Sequence, residues 1–60
     1  MEPLKRRCKR FTDELNIKVA LFCDSVGIGR STYYKWLKGE IAISDELQEK
    51  LDAYISKYGF

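Results

Sequence analysis

An all-α fold of four short helices is the architecture this sequence predicts, and three observations carry it. Apolar residues recur at intervals of three and four through each segment, glycines punctuate the segments, and no stretch is long enough to supply a paired strand. Sixty residues make one small domain, residues 1–60, in which most of the large apolar side chains are needed for packing.

Pro3 suits a first helical turn, and Leu4, Cys8, Phe11 and Leu15 follow at spacings of four, three and four, so a helix is expected over 3–14. Its other positions carry Lys5, Arg6, Arg7, Lys9 and Arg10, which makes it amphipathic and cationic. Asn16 is expected to cap a second helix over 17–26, and Gly27 to end it by accepting the left-handed conformation.

A third helix over 30–38, begun after Gly29 and stopped by Gly39, puts Tyr33, Trp36 and Leu37 on an inner side. Arg30, Thr32, Tyr34, Lys35 and Lys38 are left to face elsewhere. Glu40 to Ile43 form a connection whose two isoleucines are expected beneath the core. Ser44 is a suitable cap for the last helix, and Asp45 and Glu46 place negative charge where its dipole favours it. Leu47, Leu51, Ile55 and Tyr58 then continue an apolar stripe over 45–58, to Gly59.

Several function classes are disfavoured by composition. The longest apolar run, Val19 to Cys23, is far short of the ~20 residues of a membrane span. The basic start, Met1 to Arg7, lacks the apolar stretch of a secretory signal, so a cytoplasmic protein without a membrane partner is expected. Cys8 and Cys23 are the only cysteines and histidine is absent, so a zinc site of Cys and His ligands cannot be assembled. Both cysteines read as buried thiols, and neither metal nor cofactor is expected. Gly27-Ile28-Gly29-Arg30 follows a helix and lacks the spacing of a phosphate-binding loop. With too little chain for a deep pocket, no enzyme activity and no small-molecule substrate are expected.

The charge is unevenly placed. Residues 1–39 hold nine Lys/Arg against four Asp/Glu, a balance of +5, whereas residues 40–60 hold two against five, a balance of −3. A small module with a basic front is suited to approaching a polyanion with one face.

Two short helices joined by a tight, glycine-containing turn make the helix-turn-helix unit, whose second helix enters the DNA major groove. Residues Val19 to Gly39 resemble the helix-turn-helix of the lambda-repressor and Cro-like family of phage and bacterial regulators. Phe22 and the small Cys23 stand at the motif's fourth and fifth positions, Gly27 in the turn, and Val26, Ile28, Tyr33 and Trp36 at its apolar places. Gly39 and the capped helix from Ser44 extend the likeness over Ile17 to Leu51. Val19 stands where the family usually has a polar, phosphate-bonding residue, and Tyr33 where it has an aliphatic one, so the Tyr33 hydroxyl must find a partner or reach the surface.

The resemblance implies sequence-specific binding of double-stranded DNA by a transcriptional regulator. Arg30, Ser31, Tyr34 and Lys35 are the expected base contacts, Arg30 foremost because a guanidinium can bond guanine O6 and N7 together. Thr32, Lys38, Lys18, Lys5, Arg6, Lys9 and Arg10 are the expected phosphate contacts. Tyr54, Tyr58 and Phe60 at the C-terminal helix offer a contact for a homodimer, or for another protein if the scaffold is a protein-binding module. The segment Gly27 to Trp36 is also similar to the DNA-binding segments of invertases, transposases and excisionases, which leaves a recombinase-type domain as an alternative.

Overall fold

The computed structural model of the chain describes residues 2–60. Helix α1 spans Leu4–Glu14, α2 Val19–Val26, α3 Arg30–Leu37 and α4 Asp45–Ser56, and no strand occurs among the described residues. Each helix begins and ends within two residues of its expected bounds.

The largest local departure is at Asn16. It does not cap α2; it adopts φ 56° and closes α1, with the Ile17 N–H reaching back to the Thr12 carbonyl at 2.9 Å. Asparagine tolerates the left-handed region better than other non-glycine residues, so it can serve as a stop as well as a start. Two more residues are consumed before α2 begins, and Lys18 takes the N-cap position without a capping side-chain bond. Gly27 ends α2 at φ 90°, with its own N–H and that of Ile28 both bonded to the Cys23 carbonyl. At the start of α4 the Ser44 hydroxyl accepts from the Leu47 N–H at 3.2 Å, and Asp45 and Glu46 occupy the first turn.

The core is drawn from all four helices. Cys8 and Phe11 of α1, Phe22 and Cys23 of α2, Tyr33 and Trp36 of α3, and Leu51 and Ile55 of α4 are buried together with Ile28 from the α2–α3 connection. Helix α1 packs on α4, and α2 packs on both α3 and α4. Phe11 and Phe22 meet with ring centroids 5.2 Å apart, and Tyr54 of α4 lies edge-on to Phe11 at 5.9 Å. Phe22 also takes the edge of Tyr33 at 5.7 Å, so aromatic packing runs continuously from α4 through α2 to α3.

Two residues expected to pack inside, Leu15 and Ile41, lie outside. Leu15, the C-cap of α1, still bonds the Phe11 carbonyl but is 44% exposed, because it stands at the end of the helix. Tyr58 is 53% exposed because α4 stops at Ser56, two residues before the stripe would have included it. Of the two connecting isoleucines, Ile43 packs against the core while Ile41 is exposed.

Candidate nucleic-acid interface

Helix α3 is two-sided, and its periodicity explains why. At about 100° per residue, Arg30, Ser31, Tyr34, Lys35 and the following Lys38 share an arc of about 140°, with Thr32, Tyr33, Trp36 and Leu37 on the opposite arc. Tyr33 and Trp36 are buried, Thr32 and Leu37 are half-buried, and Arg30, Ser31, Tyr34, Lys35 and Lys38 are all exposed. The four residues expected to contact bases therefore stand together on one face. Thr32 does not join them; it sits at the helix start close to Gly29, where a Cβ added to the glycine would lie 3.5 Å from its hydroxyl.

The inner arc fixes the orientation of this face. Trp36 and Tyr33 pack with centroids 6.0 Å apart, and Tyr33 meets Phe22 of α2 edge-on. The Lys5 ammonium lies 5.8 Å from the Trp36 ring centroid, a cation–π contact that draws the start of α1 to the end of α3. Tyr34 packs edge-on against Tyr33 at 6.0 Å while remaining half exposed, so one ring can be held in place and still present its hydroxyl outward.

The cations separate into two sets. Lys9 is paired with Asp13 at 3.5 Å, and Arg10 bonds Glu14 at 2.9 Å and also Glu2, while stacking over the Phe60 ring. Arg7 is spent on α4, through Asp52. Lys5, Arg6, Lys18, Arg30, Lys35 and Lys38 make no ion pair among the described residues. Apart from Lys57 after α4, the unpaired cations among the described residues thus belong to the first turn of α1, the start of α2 and the outer face of α3. Lys9 and Arg10, equally cationic in the sequence, already have acidic neighbours one helical turn away.

Sequence reasoning missed two sets of donors. Neither Lys18 nor Gly29 supplies a capping side chain, so the first-turn N–H groups of α2 and α3 have no side-chain acceptor. Uncapped helix starts carry partial positive charge and bind anionic oxygens. The signal is the lack of Ser, Thr, Asp or Asn at positions 18 and 29, Lys18 standing where a capping residue is usual.

Beyond the end of α3 an open groove of about 490 Å³ is lined by Lys5, Trp36, Gly39, Glu40, Ile41 and Gln48, among others. The two thiols sit in the packed interior and are chemically quiet. Burial pushes Cys8 up to about 12 and raises Cys23 as well, so both stay protonated at neutral pH. The Tyr33 hydroxyl neither reaches the surface nor finds a partner: the residue is 1% exposed and its oxygen has no hydrogen bond. The ring packs against Phe22 and Trp36, and burial raises the hydroxyl's pKa above its ordinary value. No family model, curated protein or solved structure matches this chain.

Proposed function

We propose that the chain is a sequence-specific, double-stranded-DNA-binding domain of the lambda-repressor-like helix-turn-helix class, acting as a cytoplasmic transcriptional regulator. Helices α2 and α3 form the motif and α3 is its recognition helix. The observation that carries this reading is the outer arc of α3, where Arg30, Ser31, Tyr34 and Lys35 are all exposed and the cations lack acidic partners. An α-helix with its side chains is about 10–12 Å across, which suits a major groove of about 12 Å width.

In this mode Arg30 and Ser31, at the N-terminal end of α3, reach base edges, with Tyr34 and Lys35 one turn behind. Lys38, Lys18, Lys5 and Arg6 approach the backbone, joined by the uncapped N–H groups of α2. Lys9 and Arg10 contribute less, because phosphate must compete with acids already in place. The protein works by binding and requires no cofactor or metal.

Selection from a random duplex pool, followed by two substitutions, tests the division of roles. Arg30→Ala is expected to flatten the preference among sequences, by about 1–3 kcal/mol at the base it reads. Lys38→Ala is expected to weaken all duplexes alike. Identical behaviour of the two variants would defeat the assignment of base and backbone contacts.

A further inference from the structure

The outer arc of α3 holds one large apolar surface among charged and hydroxyl groups. Arg30, Ser31, Lys35 and Lys38 offer cations or a hydroxyl there, whereas Tyr34 offers a ring that is 47% exposed. A position that only faces water gains nothing from so large a ring, because its apolar area stays hydrated.

The ring is also held. It meets Tyr33 edge-on with centroids 6.0 Å apart, and Tyr33 is buried and packed in turn against Phe22 and Trp36. Tyr34 is therefore an apolar group braced against the core and open on its outer side. A side chain already restrained loses little freedom when a partner covers it.

The major groove presents hydrogen-bond donors, acceptors and one apolar group, the C5 methyl of thymine. Arg30, Ser31 and Lys35 suit the polar groups, and the Tyr34 ring suits the methyl. Arg30 stands one turn earlier on the same arc, about 6 Å back along the helix and about 40° around it. Bases stack about 3.4 Å apart along each strand. With α3 lying along the groove, the bases met by Arg30 and Tyr34 are thus about two base pairs apart.

We propose that Tyr34 is a specificity-determining residue that reads a thymine through its C5 methyl group, about two base pairs from the guanine read by Arg30. This inference rests on the DNA-binding reading above and deepens it, by fixing two bases of the preferred site and their spacing. The ring, rather than the hydroxyl, makes the distinction.

Uracil substitution tests this. In the duplex selected from a random pool, each thymine is replaced in turn by uracil, which removes the methyl and leaves every hydrogen-bonding group in place. Burial of one methyl corresponds to about fourfold in affinity, so the full chain is expected to bind about three- to fivefold more weakly when one particular thymine is replaced. Tyr34→Ala is expected to bind the thymine and uracil duplexes equally. Tyr34→Phe keeps the ring on Tyr33 and is expected to keep the difference between them. Arg30→Ala is expected to keep it too, while losing the preference for guanine about two base pairs away. Uracil duplexes that all bind the full chain as tightly as the thymine duplex overturn the proposal, as does a penalty that survives Tyr34→Ala. A penalty lost in Tyr34→Phe assigns the contact to the hydroxyl and overturns it equally. Salt-dependent binding without any methyl dependence defeats this inference alone, whereas absence of binding to any duplex defeats the DNA-binding reading with it.

Discussion

Arg7 joins α1 to α4 through Asp52: its Nη2 donates to Asp52 Oδ1 at 2.8 Å, while its Nε donates to the Phe60 main-chain oxygen at 2.7 Å. One guanidinium thereby fastens the body of α4 and the chain that follows it to the middle of α1. Ser56 donates to the same carboxylate at 3.1 Å and steadies it from within α4.

This pair makes stability depend on acid. The Arg7 guanidinium first, and the Ser56 hydroxyl second, hold the Asp52 carboxyl below its ordinary value. A carboxyl lowered on folding adds stability that is present above its unfolded pKa of about 3.9 and lost as pH falls through the folded value. Asp52→Asn is expected to lower the thermal midpoint at pH 7 by roughly 2–6 °C, a modest effect because the pair is partly solvated. The difference from the parent chain is expected to narrow as the pH falls below the unfolded value of about 3.9 and through the lower folded one. Melting both proteins by circular dichroism between pH 2.5 and 7 checks this; a gap that does not narrow at all over that range would show that the carboxylate's charge is not what matters.

The enclosed Tyr33 hydroxyl leads to the opposite kind of substitution. A buried polar group without a partner costs about 1–3 kcal/mol, and removing it leaves the ring packing untouched. Tyr33→Phe is therefore expected to stabilise the chain by about 1 kcal/mol, raising the midpoint by roughly 4–8 °C for a domain of this size. Urea denaturation measures it, and a destabilised variant would mean that the hydroxyl is bonded in solution.

The left-handed turn at Asn16 can be tested by a pair of changes. Glycine adopts φ 56° without strain and alanine does not, so Asn16→Ala is expected to cost about 1–2 kcal/mol while Asn16→Gly is neutral within about 0.5 kcal/mol. Equal effects would indicate that the Asn16 side chain, rather than its backbone, closes α1.

Much of this fold was legible in the sequence because the helices are short and strongly marked. Gly27, Gly39 and Ser44 each perform the local task their chemistry suggests, and the inward spacing of Tyr33 and Trp36 is reproduced by their burial. Asn16 was misread because the same side chain that favours a helix start also tolerates a left-handed stop. Leu15 was misread because a periodic stripe says nothing of the residue at which packing ends. The exposed face of α3 followed from periodicity alone, whereas the sorting of α1's cations into paired and unpaired did not. Arg10 owes one of its partners, Glu2, to a contact across the start of the chain, while Arg7 is drawn away by Asp52, 45 residues distant.

The central claim is that the unpaired cations around α3 meet a phosphate backbone. Fluorescence anisotropy of a labelled random-sequence duplex, titrated with the protein at several salt concentrations from about 50 mM upward, measures it most directly. Several phosphate contacts predict that log K falls linearly against log salt concentration with a slope on the order of −3 to −6. Absence of binding at about 50 mM salt, or binding that does not respond to salt, would contradict the account.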